Sequence, residues 1–175
     1  MRLRMPAAMI VLAALVAAAA AAGGADVLRI GRPAPELTGG PWINSGPLTL
    51  ADLRGRVVAV EFWTYGCINC RNVIPRLQDW HERYAAQGLT IVGVHSPEFL
   101  WEKPYDRVVE ATRRLGVAYP VVQDNDFAIW NRYGVRAWPT LVLVDKRGVV
   151  RYRHIGEGAY AETEAMIRRL LAEGG

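Results

Sequence analysis

The chain has 175 residues, 51% hydrophobic and 22% charged, which is room for one domain with a real core and too little for two comfortable ones. Its formal net charge is +4, and taking away Arg2 and Arg4 near the N-terminus leaves +2. The other Lys and Arg residues are interspersed with Asp and Glu, so there is no basic stripe, and a nucleic-acid partner is not expected.

Residues 1–25 read as a targeting segment. Arg2 and Arg4 make a short basic start, residues 5–25 carry no charge, and small residues lead into Asp26. That is the three-part pattern of a secretory signal peptide. By length the 21 uncharged residues also suit an uncleaved membrane anchor. Alanine is a weak membrane residue, however, and Ala25 beside Asp26 invites cleavage. No cysteine precedes Cys67 to carry a lipid, and Leu3 separates the arginines, so a twin-Arg signal is absent. The expected location is exported, periplasmic or otherwise extracytoplasmic.

Residues 26–50 are rich in Gly and Pro and predict an irregular arm with a short hairpin rather than a domain. From residue 51 onward the pattern becomes globular. Residues 57–63 form a near-continuous apolar run of strand length, as in a strand buried on both faces. Residues 70–87 place Val73, Ile74, Leu77, Trp80 and Tyr84 at helical spacing, with Pro75 as a kink and Gly88 as a stop. A strand follows at 89–95, a helix at 104–115 ending on Gly116, a short strand at 119–123 and a short helix at 127–133. Strands at 140–145 and 149–154 are joined by the hairpin signal Lys146-Arg147-Gly148, and a helix at 161–171 turns Met166, Ile167, Leu170 and Leu171 to the core. This alternation, closed by a hairpin and a helix, predicts an α/β fold with a mixed sheet.

The chemistry is carried by the only two cysteines, in Cys67-Ile68-Asn69-Cys70, at a strand-to-helix junction. Positions i and i+3 of a helix are neighbours, so a small adjustment brings the sulfurs to bonding distance. The helix N-terminus favours thiolate at Cys67, which makes it the nucleophile, and Cys70, one turn in, is the resolving thiol. A structural staple gains little from so short a loop. A structural zinc site needs four ligands, and beyond the pair the chain has only His81, His95 and His154. Inert core thiols leave the spacing and the export signal unexplained.

At these residues the sequence resembles the thioredoxin superfamily and, within it, the exported TlpA-like redoxins. Phe62-Trp63-Thr64-Tyr65-Gly66-Cys67-Ile68-Asn69-Cys70, then Gly93-Val94-His95-Ser96-Pro97-Glu98-Phe99, is similar to the thioredoxin-like domain of DipZ proteins. Tyr119-Pro120, Asp124-Asn125-Asp126, Trp138-Pro139 and Gly156-Glu157-Gly158 continue that match. The resemblance implies a thioredoxin-like fold over residues 51–175 and no cofactor. It implies a cis Trp138–Pro139 bond facing the cysteines, with the Trp138 backbone pairing to an extended client. It places Glu61 behind Cys70 as a buried acid that takes the proton of the attacking thiol. Trp63 and Tyr65 are expected beside the pair, although Trp63 reads equally as core. Partners implied are protein thiols and disulfides, with a separate CcdA/DsbD-like membrane electron carrier as reductant, and the chain is expected to be a monomer.

Two departures and two rival readings qualify this. Val73 stands where cytochrome-maturation relatives often carry a glutamate, and the membrane segments that DipZ proteins fuse to this domain are not found in these 175 residues, so a separate reductant is expected. Thr64, three residues before Cys67, is half of a peroxidase pattern whose proline is replaced by Val60, so a thiol peroxidase is the first alternative. A copper-handling protein using both thiolates and His95 is the second. Electron flow is expected to be reductive or isomerising, with a potential of about −180 mV or lower.

Overall fold

The computed structural model describes residues 28–174; the expected signal segment, residues 1–25, lies outside the described residues. The strands are β1 (Trp42–Ile43), β2 (Val57–Trp63), β3 (Leu89–His95), β4 (Val121–Gln123), β5 (Thr140–Val144) and β6 (Val150–Ile155). They form one sheet in the order β1-β4-β3-β2-β5-β6. β2, β3 and β4 are parallel, whereas β1, β5 and β6 each pair antiparallel with their neighbours. The helices are α1 (Ile68–Tyr84), α2 (Tyr105–Arg114), α3 (Ala128–Arg132) and α4 (Tyr160–Ala172). This is the mixed sheet with flanking helices expected of a thioredoxin-like fold. Among the described residues no helix is long and apolar enough to cross a membrane.

The two-residue period of β2 divides the core. Val57, Ala59 and Trp63 pack with α1, α2 and α4, while Val58, Val60 and Phe62 pack with α3 and the N-terminal arm. The successive parallel crossovers β2-α1-β3 and β3-α2-β4 move in one direction, so right-handedness sends both helices to the same face. Glu61 falls on that face too, which turns it toward α1.

Differences from the sequence reading have local causes. In the arm, Trp42–Ile43 makes no hairpin; it pairs with β4 at the sheet edge, and Pro33 bridges Val149 near the opposite edge. An arm crossing a core must satisfy its backbone. Arg132 binds Thr38, Tyr133 donates to the Pro35 carbonyl at 2.7 Å, and Glu36 accepts the Leu37 and Leu50 N–H groups at 2.8 Å. β4 starts at Val121 rather than 119 because Pro120 has no N–H to give. The α1 region ends as expected on Gly88, at φ +106°, after one 3-10 turn.

Candidate active site

The central strand β2 delivers the chain through Thr64-Tyr65-Gly66 to the start of α1, and Cys67 is that helix's N-cap. Its Sγ accepts the Cys70 N–H at 3.4 Å, and its own N–H donates to the Thr64 carbonyl at 3.3 Å. The first turn of α1 has no acidic residue to offset the positive end of the helix. Cys67 is partly exposed and Cys70 buried, and both are free thiols. Burial, then the hydrogen bond with Cys67, pushes the Cys70 thiol far up, against a smaller opposing pull from the Thr64 backbone. The pair is therefore unequal: an accessible sulfur at the mouth of the helix, and a sealed one that keeps its proton.

Glu61 lies behind Cys70. It is 2% exposed, and neither carboxylate oxygen has a hydrogen-bond partner. Burial alone raises its pKa from 4.5 to about 8. Its charge is felt at both Cys70 and Tyr119.

Trp63 is 1% exposed and packs edge-on to His95 at 5.3 Å, so it forms the floor of the site and cannot touch a client. Of the two places the sequence left open for Trp63, a wall beside the pair or plain core, its side chain takes the core, on the strand's inner face. Tyr65 is also buried, stacked on His95 at 5.5 Å, with its hydroxyl donating to the Trp101 carbonyl at 2.9 Å. His95 is fully buried, and burial lowers its pKa to about 4, so the ring is neutral at neutral pH. Its Nε2 lies 3.4 Å from the Thr64 hydroxyl.

The Trp138–Pro139 bond is cis. Phe62 pairs with Thr140, so the antiparallel register sets Pro139 level with Trp63, beside the cysteine loop. The Trp138 indole donates to the Ser96 carbonyl at 3.0 Å and packs on Trp130 at 4.4 Å. Its ring is thus committed to the fold.

A second carboxylate holds the loop from the other side. Glu102, fully buried, accepts the Gly66 N–H at 2.9 Å, the Glu98 N–H at 2.6 Å and the Phe99 N–H at 2.9 Å. It anchors a segment whose Phe99, Leu100 and Trp101 are exposed, as is Ile68 between the cysteines. Phe99 and Trp101 stack at 5.6 Å, and Trp101 lies against Gly66.

Residues 30–153 match the AhpC/TSA family. The chain belongs to that family. Among relatives of this AhpC/TSA chain, Protein DipZ of Mycobacterium tuberculosis is 42% identical over 142 residues, covering 79% of this chain and 20% of its own length. The chain thus spans about a fifth of the DipZ proteins it matches. Thiol-disulfide oxidoreductase ResA of Geobacillus thermodenitrificans is 33% identical over 102 residues, 58% of this chain and 56% of that one. Among solved structures, a thioredoxin-like superfamily protein superposes with TM-score 0.78 at 29% identity, covering 82% of this chain and 99% of that one. A thiol:disulfide interchange protein of Chlorobium tepidum gives 0.68 at 25% identity, with 82% and 99% covered. The chain is a TlpA-like member of the thioredoxin superfamily, as its motifs implied.

The peroxidase and copper-handling alternatives lose ground at Thr64 and His95. A hydroxyl that assists peroxide at Cys67 must reach that sulfur, whereas Thr64 is fully buried with its hydroxyl on His95. His95 is wedged between Trp63 and Tyr65, and among the described residues no three His, Cys, Asp or Glu side chains come together as a metal site. Glu102 and the Phe99-Leu100-Trp101 segment escaped the sequence reading, which matched the segment up to Phe99 without giving it a role. The available signal was three large apolar residues in a row inside a loop, where loops are usually polar.

Proposed function

We propose that the protein is an exported thiol–disulfide oxidoreductase that reduces or isomerises disulfides of extracytoplasmic proteins. The Cys67 thiolate attacks a client disulfide, forming a mixed disulfide and releasing the first client sulfur. Cys70 then attacks Cys67 Sγ; its proton goes to Glu61 in the ionised form that a pKa of about 8 leaves as a minor share at neutral pH, the mixed disulfide breaks, and the client leaves as a thiolate that takes a proton from solvent. The protein ends with a Cys67–Cys70 disulfide, having given two electrons to the client. A CcdA/DsbD-like membrane carrier restores the dithiol. The monomer presents Ile68, Phe99, Leu100 and Trp101 as an apolar rim around Cys67, and the backbone at Trp138 and Pro139 pairs with the client strand.

The observation that carries this reading is the inequality of the pair: Cys67 caps α1 in partial exposure, while Cys70 is sealed against an unpartnered acid. The test combines two measurements. Cys70→Ser should accumulate a covalent adduct with a disulfide client, and Cys67→Ser should form none. Glutathione titration of the wild type should return a potential of about −180 mV or lower; a value near −120 mV makes it an oxidant instead. Unreactive thiols in the folded domain would sink the proposal.

A further inference from the structure

Glu61 pairs with Leu141 on β5, and Leu141 pairs with His154 on β6. Residues in one row of a sheet send their side chains to one face, so Glu61 and His154 flank Leu141 on the α1 and α4 side, two strand spacings or about 10 Å apart. Between them runs a narrow crevice, about 250 Å³ with its mouth included, lined by both residues with Val73, Trp80, Gly158, Tyr160 and Thr163 among its walls. Its enclosed space is about that of one water.

The polar lining is partly committed elsewhere. Thr163 donates to the Tyr152 hydroxyl at 3.2 Å, and the Trp80 indole donates to Glu164, also at 3.2 Å. Both Glu61 oxygens and His154 Nε2 are shielded and without a protein partner. Tyr119, on the other side of Glu61, also has an unpartnered hydroxyl, but it is sealed in the core and offers no way out. Neither cysteine lines the crevice, which opens between α1 and the β6–α4 turn.

We propose that His154 is the positioning residue through which Glu61 exchanges its proton with solvent, across a water in this crevice. The inference rests on the reading of Glu61 as proton acceptor for Cys70. A client bound over Cys67 covers the front of the site, whereas the crevice lies to the side, between α1 and the β6–α4 turn. After Cys70 has given its proton to Glu61, the carboxylic acid passes a proton to the crevice water. That water passes one to the His154 imidazole, which releases it outward and leaves Glu61 ionised. The titratable groups facing Glu61 are Cys70 from α1, Tyr119 from the segment before β4, His154 from β6 and Tyr160 from α4.

The experiment is a jump from pH 6 to pH 9 on the full chain, following the carboxyl infrared band that Glu61→Gln removes. In His154→Leu the ionisation of Glu61 should slow at least ten-fold, with its midpoint moved by less than half a unit. In His154→Ala, imidazole added to the buffer should restore the rate. A purely structural role would shift the midpoint and show no rescue. Ionisation at the wild-type rate in both variants overturns the proposal. The underlying reading is tested separately with 5,5′-dithiobis(2-nitrobenzoate): Glu61→Gln should slow release of the second chromophore, the Cys70 step, and leave the first unchanged. Normal second release would remove Glu61 from the reaction, whatever the pH jump gives.

Discussion

Two glutamates are buried on opposite sides of the cysteine loop, and their surroundings differ in the one respect that matters to a charge. Glu102, in front of the loop, takes three backbone N–H groups on its two oxygens. Glu61, behind it, takes none, and its pKa climbs to about 8. An acceptor with three donors is a fastener, whereas burial holds the proton on a bare carboxyl. The same side chain is fully bonded in one place and bare in the other.

That contrast can be broken most forcefully at Glu102. Glu102→Ala strands three backbone N–H groups, each costing roughly 1–3 kcal/mol, so a loss on the order of 5 kcal/mol is expected in denaturant unfolding. A loss under about 1 kcal/mol would mean that the clamp is ornamental.

Glu61→Gln should do the opposite. Below about pH 4.5 the carboxyl is neutral in both folded and unfolded chains and nothing distinguishes the variant. Between pH 4.5 and about 8 the unfolded chain ionises while the folded one does not, so the wild type loses stability as pH rises through that window. The variant should therefore match the wild type at pH 4 and exceed it by up to about 4 kcal/mol at pH 8.5. Equal stability at both pH values would show that Glu61 is not held neutral.

Gly66→Ala sharpens the comparison at smaller scale. A Cβ there would collide with Glu102 Oε1 and stand 2.9 Å from Trp101 Cη2. The expected cost is about 1–3 kcal/mol, with slower attack by Cys67 in the first phase of disulfide reduction. If stability and first-phase rate are both unchanged, the segment behind Gly66 yields freely and does not hold the loop.

The cysteine loop was legible because its signals are local. Residues 57–63 and 89–95 are read as strands, and the structure has them as β2 and β3 with the same bounds, since an unbroken apolar run needs burial on both faces wherever it falls. α1 begins at Ile68, two residues before the reading, because Cys67 caps it with its own sulfur, a capping group that propensity does not anticipate. Glu61 was singled out only through the family resemblance. Trp63 did not reveal which way it faced, and Glu102 looked like any loop glutamate.

Sequence by itself determined the strand periods, the helix ends marked by glycine and proline, and the two cysteines one turn apart at a helix mouth. These depend on residues within a few positions of one another. Tertiary structure alone decided that Glu102 closes on Gly66 across 36 positions, that Glu61 has no partner, and that His154 shares its crevice. Those facts follow from strand register and loop crossing, which bring distant backbone and side-chain groups into contact and so determine which buried charge is satisfied and which is free to titrate.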